Sequence, residues 1–188
     1  MRQFAFIPTE IAGLTLIQPF VAWDQRGYLV KDYAAEAFRG QQLAHPLEEV
    51  FYTGSQAGVV RAIHFQREKQ QAKLVRCVSG KIYDVVVDLR KGSPTFGRWL
   101  GFDLEGDNFH SLYIPGGCGH GYLVLEASVV SYKCDEKFYG EYDDGIRWDD
   151  PDVGVAWPVH LVHNIIVSDK DKNLQTFRAF QDRYGGLA

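Results

Sequence analysis

The chain is short of sulfur. Methionine occurs once and cysteine three times, at Cys77, Cys118 and Cys134, with no Cys-x-x-Cys clip. An odd, scattered set argues against a disulfide scaffold and fits a reducing, cytoplasmic setting. No apolar run approaches the ~20 residues of a membrane span, and the N-terminal segment lacks the uninterrupted apolar core of a signal peptide. Basic residues are not in excess either: 20 Lys and Arg stand against 24 Asp and Glu, a net charge of −4. That removes nucleic acid and anionic membrane surfaces from the expected partners, because both need a broad positive field. A local cluster of cations on a small anion remains compatible with it. Internal repeats, low-complexity tracts and Pro/Gly/Ser-rich linkers are also missing, so residues 1–188 form one expected domain.

What is abundant is aromatic and turn-forming. The chain holds 12 Phe, 10 Tyr, 4 Trp and 19 Gly, with 46 % of residues apolar, a mixture that suits short strands and tight turns. Strand-like runs fall at 14–18, 27–33, 49–53, 59–65, 73–78, 81–89, 98–103, 111–114, 121–125 and 128–134. Gly54-Ser55, Ser79-Gly80, Lys91-Gly92-Ser93-Pro94 and Pro115-Gly116-Gly117 separate several of them with turn chemistry. The expected class is all-β, a sandwich or barrel with short peripheral helices. One helical turn or two is expected at 34–38. A second helix is expected near the C-terminus, where Leu174, Phe177, Phe180 and Tyr184 make an apolar stripe, packed outside the barrel within 159–188.

Six histidines are present, at positions 45, 64, 110, 120, 160 and 163. His120 sits in Pro115-Gly116-Gly117-Cys118-Gly119-His120, which is similar to the second signature of cupin jelly-roll barrels. A metal-binding cupin would also carry His-x-His on an earlier strand, and here that stretch reads Arg61-Ala62-Ile63-His64-Phe65-Gln66. Gln66 stands where the second imidazole would be, so no metal is expected. Arg61 and His64 are three apart, and a regular strand points such residues to opposite faces. A bulge is needed to bring both inward.

The segments GVVRAIHFQ (58–66), KLVRCVSGKIYDVVVDLRKGSPTFGRW (73–99), YIPGGCGHGYLVL (113–125), SYKCDEKFY (131–139) and GIRWDDPDVGVAWP (145–158) resemble the dTDP-4-dehydrorhamnose 3,5-epimerase family, as do DQRGYL near the start and SDKDKN (168–173). The resemblance implies a homodimeric cupin-type jelly roll that needs no cofactor, with the strands of 1–45 contributing dimer contacts. It implies epimerisation of a nucleotide-diphospho-4-keto-6-deoxyhexose at C3, C5 or both. A C–H beside a ketone ionises only when the enolate is stabilised, so such a site needs a base, a cationic donor and an acid across the sugar. By resemblance these are His64 with Asp171 as its partner, Lys73, and Tyr132. Each has a plainer reading: Asp171 as a helix N-cap, Lys73 as a solvated edge lysine, Tyr132 as a core tyrosine. The resemblance also assigns Arg26, Tyr28, Arg61, His120 and Tyr139 to the sugar nucleotide.

Two blocks depart from the family pattern. Lys31 stands where an acidic residue is usual, and Glu49-Val50-Phe51-Tyr52-Thr53-Gly54 replaces a Gln-Asp-Asn-His-Ser stretch. Both departures touch the expected base pocket, which admits CDP beside dTDP as the nucleotide. Two competing readings stand beside the epimerase: a cupin that binds a sugar nucleotide or carbohydrate without catalysis, and a metal-dependent cupin oxygenase.

Overall fold

The structure, a computed structural model, describes residues 4–43 and 46–188; His45 and the first three residues of the N-terminal segment lie outside them. Twelve strands are described: β1 (Ala5–Pro8), β2 (Thr15–Gln18), β3 (Phe20–Asp24), β4 (Gly27–Lys31), β5 (Glu49–Ser55), β6 (Val59–Gln66), β7 (Lys73–Asp88), β8 (Trp99–Glu105), β9 (Ser111–Ile114), β10 (Cys118–Cys134), β11 (Asp143–Ile146) and β12 (Ile166–Val167). The helices α1 (Ala35–Gly40), α2 (Asp169–Lys172) and α3 (Phe177–Tyr184) are short, and a 3₁₀ turn spans Val159–Leu161. This is the expected cupin jelly roll. None of its helices is long and apolar enough to cross a membrane, among the described residues.

The expected runs at 73–78 and 81–89 are one strand, and so are those at 121–125 and 128–134. β7 and β10 are 16 and 17 residues long and pair along almost their whole length. Each bends midway and serves both walls of the barrel. The first half of β7 and the last half of β10 lie between β9 and β5. The other halves lie between β8 and β6, with β11 beyond. The pairing slips at Val124/Glu126, Glu126/Val129 and Val129/Val130, and these bulges turn the strands from one wall to the other. In β7 the expected break falls at Ser79-Gly80, whose turn chemistry here lies inside a continuous strand. Strands β1, β3, β11 and β12 were not expected from the sequence, and the last is only two residues long.

Three apolar clusters follow from the side-chain alternation. Val75, Ile82, Val86, Leu112, Tyr122 and Val130 fill the barrel. Val85, Val87 and Leu123 point the other way and bury against Trp157, Phe177 and Phe180 of the C-terminal segment, so the run DVVVDL is covered on both faces. α1 places Phe38 with Ile17, Leu74 and Tyr113 on the remaining outer face. α3 packs outside the barrel as its stripe requires, capped by the Thr176 hydroxyl and closed by Gly185 at φ 64°. Leu174 lies before the helix begins.

Candidate active site

β5, β6, β7 and β10 enclose a cavity of about 840 Å³ lined by His64, Arg61, Lys73, His120 and Tyr132, together with Glu49, Phe51 and Thr53. The expected bulge in β6 is present. His120 pairs with His64 but Tyr122 pairs with Arg61, so three steps on β6 span two on β10. The extra residue turns both Arg61 and His64 toward the cavity. Gly121 permits the close approach, since a Cβ there would lie 2.6 Å from the Arg61 carbonyl oxygen and 2.8 Å from that of Ala62.

His64 is held from behind. β12 runs parallel to β6, Ile166 beside Val59 and Val167 beside Val60, and hands the chain directly to α2. The Asp171 carboxylate then meets His64 Nε2 at 3.1 Å through Oδ1 and accepts the Ala62 N–H at 2.9 Å through Oδ2. Burial works against its charge, but these hydrogen bonds prevail and bring the carboxyl down to about 2. Asp171 is not the N-cap of α2. Ser168 fills that place, its hydroxyl accepting the Asp171 N–H at 3.1 Å. An ionised carboxylate only accepts, so the hydrogen of a neutral His64 resides on Nε2 and the lone pair on Nδ1.

Lys73 shares the inward face of β7 with Val75 and is half-buried. Burial lowers its ammonium from the usual lysine range, while nearby acids including Asp143 and Asp84 oppose the shift. Tyr132 is only 7 % exposed. Burial, followed by the Tyr122 hydroxyl beside it, raises its phenol well above the usual range, so it stays protonated at neutral pH. Phe51 stacks on the Tyr132 ring with centroids 4.7 Å apart, and His120 meets the same ring edge-on at 5.9 Å. His120 Nε2 lies 2.8 Å from Oδ2 of Asp84, which is fully buried.

Several participants were missed in the sequence. Asp84 had a signal: it is a charge inside the apolar strand run of 82–89. Asp143, Lys170 and Phe138 line the cavity, and only tertiary packing announces them; Phe51 lines it too, from the block that departs from the family pattern. Gln66 is a clamp, donating to the Lys69 and Lys137 carbonyls at 2.6 and 3.2 Å and accepting the Tyr139 N–H at 2.6 Å. No group of three or more His, Cys, Asp or Glu is arranged to hold a metal ion among the described residues.

Four expected contacts are not gathered at the cavity of this chain. Arg26 is at the tip of the β3–β4 hairpin, 85 % exposed and paired with Asp24 at 2.6 Å. Tyr28 packs on Trp23 and Phe109 at 5.0 and 4.8 Å. Lys31, the charge reversal, lies 5.9 Å over the Phe20 ring. The wall position next to Tyr139 belongs to Phe138, while the Tyr139 ring sits against Tyr142 at 5.9 Å.

Residues 8–179 match the family model described as dTDP-4-dehydrorhamnose 3,5-epimerase. A protein of that name from Methanothermobacter thermautotrophicus is 44 % identical over 179 residues, covering 95 % of this chain and 97 % of the relative. Among solved structures, a dTDP-6-deoxy-D-glucose-3,5-epimerase from Legionella pneumophila, in complex with dTDP-4-keto-L-rhamnose, superposes with a TM-score of 0.90 at 33 % identity, covering 96 % of each chain. A 3′-monoepimerase from Streptomyces bikiniensis in complex with dTDP-quinovose gives a TM-score of 0.86 at 34 % identity, covering 96 % of this chain and 91 % of that one.

Proposed function

The chain belongs to the dTDP-4-dehydrorhamnose 3,5-epimerase family, making it an isomerase of deoxysugar biosynthesis, and from that premise we propose its substrate and the steps of its reaction. The substrate is a dTDP-linked 4-keto-6-deoxyhexose, inverted at C3 and C5 in the cytoplasm. His64 Nδ1 removes the proton beside the ketone, and the C–H electron pair moves into the new C=C as the carbonyl oxygen becomes an enolate. Lys73 donates to that oxygen. The C=C pair then takes a proton from Tyr132 on the other side as the carbonyl re-forms, leaving a phenolate that solvent reprotonates and a His64 imidazolium that gives its proton to solvent. Asp171 keeps the His64 hydrogen on Nε2 and favours the imidazolium formed during abstraction. Arg61 and His120 meet the sugar nucleotide.

One observation carries this reading. His64 stands in the wall formed by β6 and β11, and Tyr132 in the half of β10 that pairs with β5, in the other wall. A base and an acid on different walls of one cavity are what inversion requires; a binding module needs neither. Support for dTDP comes from the dTDP sugars in the Legionella and Streptomyces complexes. Of the two departures that motivated CDP, Lys31 does not line the cavity of this chain, whereas Glu49, Val50, Phe51 and Thr53 of the other do. We also propose a homodimer built on the β3–β4 hairpin, where Trp23, Tyr28 and Leu29 are 66 %, 56 % and 57 % exposed; Arg26 and Tyr28 would then act from that hairpin.

The test is solvent exchange. Substrate turned over in deuterium oxide is expected to carry label at both C3 and C5. Label at one carbon alone would make the enzyme a monoepimerase, and substrate recovered unlabelled would make the protein a binder. A thermal-shift panel of dTDP, CDP, UDP and GDP reads the nucleotide. At a hundredfold excess over Kd the preferred one stabilises the fold by about 2.7 kcal/mol, and selective stabilisation by CDP would overturn the dTDP assignment.

A further inference from the structure

His64 lies between two carboxylates. Asp171 holds Nε2 at 3.1 Å, and on the other side Oδ1 of Asp143 is 3.9 Å from Nδ1. That second distance is beyond a hydrogen bond, yet a small side-chain rotation would close it. Asp143 is 12 % exposed and comes from β11, where it pairs with Gln66 of β6 two residues from His64. Its other oxygen, Oδ2, is bound to the Lys170 ammonium, which is 59 % exposed at the rim. The base nitrogen therefore faces a carboxylate whose charge is engaged elsewhere.

The engagement matters because the two nitrogens of His64 have opposite tasks. Nε2 must hold a hydrogen and Nδ1 must not, until substrate supplies one. A free carboxylate beside Nδ1 would favour a ring protonated on both nitrogens, and that ring cannot act as a base. We propose that Lys170 is a positioning residue whose ammonium holds the Asp143 carboxylate off Nδ1 of His64 and so keeps the base vacant. Around His64 stand Asp171 and Lys170 from α2, Asp143 from β11, Arg61 from β6, Lys73 from β7 and His120 and Tyr132 from β10, with Glu48 and, from β5, Glu49 on the same cavity. Asp143 is the acid that approaches Nδ1, and Lys170 is the cation bonded to it. The role of the vacant nitrogen rests on the proposed epimerase reaction; the geometry of the latch does not.

The experiment is a double-mutant cycle on the full chain with Lys170→Met, Asp143→Asn and the pair. It is read in the ligand-free protein by NMR titration of the His64 ring and in turnover by kcat against pH. Removing Lys170 alone is expected to make His64 hold its proton to higher pH by about one unit, and to lower kcat at neutral pH about tenfold. In the Asp143→Asn background the same change is expected to move either quantity less than twofold. A merely structural role for Lys170 would produce equal effects in both backgrounds, and that result would overturn the proposal. So would a His64 titration unmoved by Lys170→Met. Asp143→Ser replaces Asp143→Asn should the latter fold poorly. If the native protein exchanges no substrate protons, the epimerase reading fails, and the NMR arm still decides the latch.

Discussion

Replacing Asp171 by Asn tests the heart of the site, because the substitution keeps the shape and changes only which atoms can accept. In the native protein two donors converge on the carboxylate, His64 Nε2 at 3.1 Å and the Ala62 N–H at 2.9 Å. An amide offers one oxygen and one NH2. If its oxygen keeps the Ala62 N–H, its NH2 faces His64 and forces the hydrogen from Nε2 to Nδ1, so the base nitrogen is blocked. If its oxygen keeps His64, the NH2 confronts the Ala62 N–H in a buried place, an unsatisfied donor costing about 1–3 kcal/mol. Either way the rate is expected to fall on the order of 10²–10⁴. The fold should also lose about 2 kcal/mol near neutral pH, since the carboxyl titrates at about 2 against an ordinary value of 3.8. Deuterium wash-in at C3 and C5, followed by NMR, measures the first effect, and urea unfolding measures the second. An Asp171→Asn protein that exchanges at the native rate would refute the dyad, whatever its stability.

The same depressed carboxyl makes a pH prediction. Its stabilisation is complete above about pH 4 and is lost as pH falls toward about 2; acid unfolding monitored by tryptophan fluorescence should lose that component of its slope in Asp171→Asn. Tyr132→Phe is expected to abstract protons normally while losing inversion by about 10²-fold or more, so wash-in without epimer is the diagnostic product pattern; equal loss of both would assign Tyr132 to packing. Lys73→Met removes a charge that burial disfavours, so the melting temperature should hold or rise while kcat falls, and a matched loss of both would make Lys73 structural. Trp23→Lys on the hairpin should convert a sedimenting dimer to monomer; a native protein already monomeric at micromolar concentration would contradict the dimer.

Local pattern carried much of this architecture. Most strands were readable, because alternating aromatics and β-branched residues between glycine turns leave few alternatives, and α3 was readable from its stripe. β7 reads as two runs because a bulge and a turn use the same residues; Ser79-Gly80 bends a continuous strand here. β12 escaped because two residues carry no periodicity. At the site, the three-residue spacing of Arg61 and His64 demanded a bulge, and the bulge is there. Asp171, 107 positions beyond His64, came only through family resemblance, since no local rule joins residues so distant. Asp143 and Lys170 carry no local signal and meet only because β11 and α2 flank the same strand.

The bend in β10 has a consequence for how this protein tolerates change. His120 and Tyr122 before the bend and Val130, Tyr132 and Cys134 after it share the barrel interior, and the slipped pairs at Val124–Val130 set the parity between the two halves. Deleting one residue in that stretch would exchange the faces of everything downstream. Ser131 and Lys133 would turn inward and Tyr132 outward, without any substitution at the site itself. Length around residues 125–129 is therefore as constrained as identity at 132. Indels there should be tolerated only in compensating pairs, while the exposed turn at Lys91-Gly92, outside the strands, has no such arithmetic to keep.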